Sequence, residues 1–124
     1  MSVLKGLKPA PVWYYFEEIC RIPRLSKNEK KIREYLLTFA RDNKREAKED
    51  PTGNILITRP SHPDFRKRKT VILQSHMDMV GEKNAGHPHD WTKDPIVPAV
   101  DGAWVIAKGT TLGADDGIGI ASQL

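Results

Sequence analysis

The fold of this chain is decided by one short stretch, Thr70-Val71-Ile72-Leu73-Gln74-Ser75-His76-Met77-Asp78. Its first five residues form an almost wholly apolar run of strand length, which is typical of a strand covered on both faces. His76 and Asp78 follow directly, and in open α/β sheets ligands gather at the carboxyl ends of the strands. The stretch therefore predicts a central strand at residues 70–75 that delivers two polar side chains to a functional site.

Two helices are predicted before this strand. Residues 11–22 carry apolar side chains at spacings of three and four, which indicates a short amphipathic helix that Pro23 ends. Ser26 and Glu29 then have the spacing of a capping box, so a second helix is expected to run to about Asp42.

Short strands and a third helix are predicted from turn and branched residues. Residues 50–54 are rich in turn formers, and the branched residues 55–58 after them indicate a strand. The glycines and prolines of residues 81–103 predict a long and mostly irregular connection. Residues 104–107 indicate another strand, and residues 117–124 indicate the start of a helix.

Composition places the chain among soluble globular proteins. It has 124 residues, of which 39% are hydrophobic and 29% charged, so one small domain with a modest core is expected. Cys20 is the single cysteine, which excludes an intramolecular disulfide and favours a reducing compartment. The first residues lack the apolar segment of a signal peptide, and no run reaches transmembrane length. These features predict a cytoplasmic protein.

The net charge of +4 raises the question of nucleic-acid binding. Most basic residues alternate with acidic ones, as in residues 27–34 and 44–50, a pattern typical of solvated helix faces. Only Arg66-Lys67-Arg68-Lys69 is an uninterrupted basic run. A polar loop before a buried strand is the favoured interpretation of this run, and a phosphate-binding patch is the alternative.

Two groups of polar residues carry potential chemistry. His76 and Asp78 lie two positions apart, so on an extended segment both side chains point to the same side, where they suit a divalent ion or a simple hydrogen-bonded pair. Asp115 and Asp116 lie among glycines at residues 109–119, before a predicted helix. Adjacent carboxylates cap a helix N-terminus well, but their mutual repulsion also favours a nearby cation. From the residues alone, both interpretations stay open.

Taken in order, these segments resemble the N-terminal part of the M20 metallopeptidases, most closely the branch of cytosolic non-specific dipeptidases. The resemblance covers nearly the whole chain and is carried by residues 15–23, 53–54, 71–80, 89–96 and 109–119. It implies an incomplete part of a zinc-peptidase-like α/β/α sandwich with a mixed sheet. Residues 1–124 would be the N-terminal portion of the catalytic domain, without the remaining strands and without the lid domain.

The resemblance also implies a site with two divalent metal ions, for which zinc is expected and cobalt or manganese are alternatives. His76 matches the terminal ligand of one metal, and Asp115 matches the carboxylate that bridges both. Asp78 matches the catalytic-site residue that orients the ligand histidine. The Asp115-Asp116 peptide bond is expected to be cis. The family's general base, a glutamate of a Glu-Glu pair, and its remaining ligands match no residue of this sequence.

The expected function of the intact parent is hydrolysis of unblocked dipeptides, with a small peptide as substrate and with neither nucleic acid nor membrane as partner. Dimerisation of the parent stays open. The 124-residue chain alone is expected to be inactive. The alternatives are a non-catalytic remnant or interaction module, and weak nucleic-acid binding through residues 66–69.

Overall fold

The structure is a computed structural model that describes residues 3–124, and within these residues it contains three α-helices and four short strands. The helices are α1 (Ala10–Cys20), α2 (Lys30–Asp42) and α3 (Ala114–Gln123); the strands are β1 (Glu46–Glu49), β2 (Ile55–Thr58), β3 (Pro98–Asp101) and β4 (Trp104–Ala107). A single 3-10 turn covers Pro63–Phe65. The chain divides into two compact units. The first comprises the residues up to Ile32 together with Gln74–Leu124, and the second comprises Arg33–Leu73.

In the first unit, α1 packs against α3. Phe16, Ile19 and Cys20 are buried because their spacing of three and four residues places them on one face of α1. Ile120 of α3 is also buried. Each large apolar side chain buried in this way contributes about 1.5–3 kcal/mol to the free energy of unfolding. Burial also raises the pKa of the Cys20 thiol to about 12, so the thiol stays protonated and chemically inert.

Strands β3 and β4 form an antiparallel hairpin, and β3 lies within the connection that the sequence predicted to be mostly irregular. The hairpin joins Asp101 to Trp104 through a two-residue loop. Gly102 takes a φ of 57° in the first loop position, a conformation that glycine adopts without steric cost. Pro98 lies at the start of its strand, one of the positions where a sheet tolerates proline. The prediction of an irregular connection is therefore wrong for residues 98–101, while strand β4 confirms the prediction for residues 104–107.

The second unit contains the hairpin of β1 and β2, again antiparallel. Strand β2 lies where the sequence predicted it, but β1 occupies residues that were interpreted as a solvated helix face. The four residues Glu-Ala-Lys-Glu have little strand preference of their own, and they become a strand because the turn at residues 50–54 folds them back onto β2.

The predicted central strand at residues 70–75 is not present in the part of the chain that the structure describes, since no strand lies between β2 and β3. A strand is defined by hydrogen bonds to a neighbour, and among the described residues each strand pairs only with the other strand of its own hairpin, so none pairs with residues 70–75. Val71, Ile72 and Leu73 are 79%, 81% and 66% exposed, so the expected cover on both faces is also absent for these residues. The α/β class is confirmed, with its sheets present as two antiparallel pairs.

Candidate metal centre

The segment after residue 75 and the start of α3 bring His76 and Asp115 together. The His76 Nε2 atom lies 2.9 Å from Asp115 Oδ1, although the two residues are 39 positions apart. Both side chains remain accessible, with 47% and 95% of their surfaces exposed. The sequence predicted this convergence, and an ion that approaches from solvent meets an imidazole nitrogen and a carboxylate oxygen side by side.

Asp78 lies on the opposite edge of the same imidazole ring. Its Oδ1 atom is 3.0 Å from His76 Nδ1, and its Oδ2 atom accepts a hydrogen bond of 2.5 Å from Ser26 Oγ. The Ser26 hydrogen bond, followed by that of His76, lowers the pKa of the Asp78 carboxyl below its ordinary value. Asp78 is therefore ionised at neutral pH and holds the ring through one nitrogen, which leaves the other directed at Asp115.

The position of Ser26 corrects one prediction. The sequence indicated a capping box, in which the Ser26 hydroxyl and the Glu29 carboxylate satisfy backbone amides at the start of α2. In the structure the hydroxyl donates to Asp78, and Glu29 Oε1 accepts from the backbone amide of Lys27 at 2.6 Å. Ser26 is thus part of the site, and the capping pattern concealed this role.

The two carboxylates raise the pKa of His76 above the ordinary histidine value, Asp115 more than Asp78. Partial burial of the ring acts in the opposite direction and is second in size to the hydrogen bond with Asp115. When both ring nitrogens donate to carboxylates, the protonated imidazolium is the favoured form. A metal ion that binds at Nε2 must therefore displace a proton from that atom.

The backbone around Asp115 departs from a regular helix. Asp115 and Asp116 have φ/ψ values of −87°/106° and −117°/35°, and the peptide bond between them is cis, as the resemblance implied. Regular helical geometry resumes after Asp116, which agrees with the helix start predicted at residue 117. Gly113 precedes this segment with a φ of 69°, in the left-handed region that favours glycine. This local geometry presents the Asp115 side chain to solvent beside His76.

A buried arginine that sequence reasoning missed lies behind the two polar side chains. Arg24 is 2% exposed, and its Nη1 atom donates to the backbone carbonyls of Met77 at 3.0 Å and Asp78 at 3.2 Å. Its Nη2 atom donates to the carbonyl of Gly113. Burial lowers the pKa of Arg24, an effect that nearby Cys20, Asp78 and Asp116 partly offset. No local pattern distinguishes Arg24 from the solvated basic residues that surround it in the sequence.

The site opens into a cavity of about 270 Å³. Its wall combines His76, Asp78 and Asp115 with the mainly apolar surface of Met79 and Val80. Met79 is buried, whereas Val80 is 70% exposed at the rim. A small ligand with one polar and one apolar part fits this combination of surfaces.

The donor set fits part of a metal site. His76 Nε2 and Asp115 Oδ1 are atom types that zinc and similar ions accept, and Asp78 on the other ring nitrogen is the usual outer partner of a ligand histidine. Across residues 3–124, no group of three or more His, Cys, Asp or Glu side chains is arranged to hold a metal ion. The described residues therefore offer two atoms suited to contact an ion directly, His76 Nε2 and Asp115 Oδ1, with the Asp78 carboxylate on the other nitrogen of the His76 ring.

The matches among known proteins include two that cover nearly the whole chain. The chain is 49% identical over all 124 residues to the cytosol non-specific dipeptidase of Escherichia coli strain K12. The crystal structure of aminoacylhistidine dipeptidase from Vibrio alginolyticus matches 97% of the chain with a TM-score of 0.94 and 49% identity. No protein-family model matches the chain.

The chain spans about a quarter of the length of these relatives, 26% of the first and 24% of the second. None of the helices formed by residues 3–124 has the length and apolar character needed to cross a membrane. The sequence match extends over the whole chain and the structural match over 97% of it. Over this quarter of their length the chain is therefore similar to the cytosolic non-specific and aminoacylhistidine dipeptidases, in agreement with the resemblance that its sequence carries.

Proposed function

We propose that this chain contributes His76 and Asp115 to a site that binds two divalent metal ions and hydrolyses the peptide bond of small peptides. The observation that carries the proposal is the pairing of His76 Nε2 with Asp115 Oδ1 at 2.9 Å, while Asp78 holds the other ring nitrogen. His76 would be the terminal ligand of one metal, and Asp115 would bridge the two. Zinc suits this nitrogen and oxygen set, with cobalt and manganese as alternatives.

When bound, two such ions polarise a peptide carbonyl and lower the pKa of water, so hydrolysis proceeds near neutral pH. The residues of this chain orient the side chains that would bind these ions. Asp78 accepts the His76 Nδ1–H and thereby fixes the tautomer in which Nε2 carries the free electron pair. Ser26 donates to the second oxygen of Asp78 and keeps this carboxylate in place.

The proposed substrate is an unblocked dipeptide, and the proposed compartment is the cytoplasm. The printed names of both relatives describe dipeptidases, one of them cytosolic. The cavity of about 270 Å³ beside His76 has the size and the partly apolar wall that one small side chain requires. The general base and the remaining metal ligands of such a site are not among the residues assigned here.

The metal part of the proposal is tested by titrating the purified chain with Co²⁺ and recording the NMR signals of its four histidine rings. We expect the His76 signals to respond first, and we expect His76→Ala and Asp115→Ala each to remove this response. His62→Ala is the matched control, because His62 is an exposed histidine of the second unit that also faces an aspartate. Equal responses from His62 and His76 would contradict a specific site.

The alternative of nucleic-acid binding concerns a different part of the chain. Residues 66–69 follow the 3-10 turn and are exposed. A phosphate-binding patch would retard DNA or RNA at low ionic strength and lose this effect as salt is raised. Absence of retardation in low salt would remove the alternative and leave the metal site unaffected.

A further inference from the structure

The buried arginine behind the site has a geometry that links the two segments on which His76 and Asp115 lie. Arg24 donates from one guanidinium nitrogen to the carbonyls of Met77 and Asp78, immediately after His76. From the other nitrogen it donates to the carbonyl of Gly113, two residues before Asp115. These guanidinium hydrogen bonds thus end on three backbone carbonyls. The planar, five-donor guanidinium is the side chain best suited to connect separate acceptors in fixed directions.

The backbone of Arg24 reinforces this link. Its carbonyl accepts a hydrogen bond of 3.0 Å from the amide of Met79, and the neighbouring Leu25 forms a parallel bridge with Met79. The Gly113 carbonyl also accepts a bond of 3.1 Å from the amide of Gly117. One carbonyl therefore joins the guanidinium to the backbone turn that encloses Asp115 and Asp116.

Two glycines provide the space that the guanidinium occupies. A Cβ atom built at Gly113 or at Gly117 would lie 2.6 Å from Arg24 Nη2, closer than real Cβ atoms come to their neighbours. These glycines flank the Asp115-Asp116 pair on both sides. The close approach shows that the backbone carrying the acidic pair is packed directly against Arg24, with no side chain between them.

We propose that Arg24 is a positioning residue, which sets the distance between His76 and Asp115 by holding the backbone of both segments from behind. The proposal rests on the proposed function, because the distance matters through the metal ions that the two side chains would share. In this proposal Arg24 is neither a metal ligand nor a substrate contact. Its effect is transmitted through the carbonyls of residues 77, 78 and 113.

The test compares Arg24→Gln and Arg24→Lys with the unmodified 124-residue chain. The first readout is the NOE between the His76 ring and the Asp115 β protons without metal, and the second is the affinity for Co²⁺ alone. We expect Arg24→Gln to lose the NOE and to bind Co²⁺ about 10-fold or more weaker, the usual cost of removing an outer partner of a metal site. Arg24→Lys keeps the charge but reaches fewer carbonyls, so partial recovery of both readouts is expected.

The control is Ile19→Ala, which alters a fully buried side chain of α1 and removes no hydrogen bond to either segment. It should lower the melting temperature and preserve the NOE. If Arg24→Gln does not fold, Arg24→Lys and Gly117→Ala are measured in its place. Alanine at residue 117 displaces the guanidinium without removing it. A folded Arg24 variant that keeps the NOE and the Co²⁺ affinity overturns the proposal. If the unmodified chain binds no Co²⁺ while Arg24→Gln still loses the NOE, the positioning role stands and the proposed metal site fails.

Discussion

At the scale of single residues, the protonation of His76 follows from its two carboxylate neighbours. Asp115 is the larger cause of the raised His76 pKa, and Asp78 adds to it. We expect Asp115→Asn to lower the His76 pKa towards its ordinary value, because an amide does not stabilise the imidazolium as a carboxylate does. NMR titration of the His76 ring measures this change, and an unchanged pKa would contradict the hydrogen bond at 2.9 Å.

The same pKa shift has a defined sign in folding stability. A group whose pKa is raised in the folded state stabilises that state fully below its unfolded pKa, and the effect is lost as pH rises through the folded pKa. The difference in melting temperature between the unmodified chain and Asp115→Asn should therefore be largest in mild acid and decline as pH rises through the raised His76 pKa. The effect should be small, since both side chains are well exposed.

Residue patterns predicted His76, Asp78 and Asp115 because each follows an apolar run or a glycine-rich loop, where polar side chains stand out. Arg24 and Ser26 were missed as parts of the site for a physical reason. Their roles depend on contacts with residues more than 50 positions away, at 77 and 78. Neither an isolated arginine nor a serine in a capping pattern differs locally from its ordinary surface counterpart.

At the scale of elements, the hairpin of β1 and β2 depends on the Asp50 carboxylate. Its Oδ1 atom accepts hydrogen bonds from the backbone amides of Thr52 and Asn54, each at 2.9 Å, and its Oδ2 atom accepts one from the Asn54 side chain. These bonds, led by the Asn54 side chain, hold the Asp50 pKa well below the ordinary aspartate range. The turn therefore stabilises the hairpin above the unfolded aspartate pKa and loses this effect as pH falls through the folded pKa.

We accordingly expect Asp50→Ala to increase hydrogen exchange at the backbone amides of β1 and β2, with no change at α1. Asp50→Asn should give an intermediate increase that does not vary with pH, because the amide oxygen still accepts bonds but carries no charge. Equal hydrogen exchange at β1 and β2 in all three proteins would show that the hydrogen bonds between the two strands form without the Asp50 turn.

Helix α3 contains a second testable contact. An alanine at Gly119 would place its Cβ against the Asp116 carboxylate, which overlaps that position closely. Glycine to alanine in a helix interior normally stabilises by about 1 kcal/mol. We expect Gly119→Ala alone to give no such gain, and Gly119→Ala in an Asp116→Ala background to recover it. Thermal unfolding of the four proteins measures the coupling, and additive changes would mean that Asp116 moves aside freely.

The elements that the sequence predicted correctly are those whose pattern matches their own packing, such as the Phe16 and Ile19 face of α1. Strands β1 and β3 were missed because pairing with a neighbour determines them more than composition does. The Asp101-Gly102 pair was an available hairpin signal for β3, whereas the charged residues of β1 carried none. The strand expected at residues 70–75 illustrates the reverse case. Its composition strongly favours a strand, but residues do not form a strand without a partner strand.

At the scale of the whole molecule, residues 71–73 are the most exposed apolar run among residues 3–124. Exposed apolar segments without strand partners favour association with other chains. We expect the 124-residue chain to self-associate as its concentration rises, and Ile72→Lys to reduce this association. Val97→Lys is the matched control, because Val97 is also a well-exposed branched apolar residue but lies outside this run. Analytical ultracentrifugation measures the effect, and equal reductions by both variants would indicate a general effect of charge.

The final prediction concerns catalysis by the chain of 124 residues as it stands. Catalytic zinc sites hold about three protein ligands per ion, whereas His76 and Asp115 are the only two first-contact donors proposed here. Two ligands hold two ions weakly, and the general base of the family has no counterpart assigned in this sequence. We therefore expect no dipeptide hydrolysis when zinc, cobalt or manganese is added, even at high concentration. The assay uses simple dipeptides with His76→Ala as its control. Metal-dependent cleavage that disappears in the control would contradict this expectation and would mean that another chain, such as a second copy, completes the site.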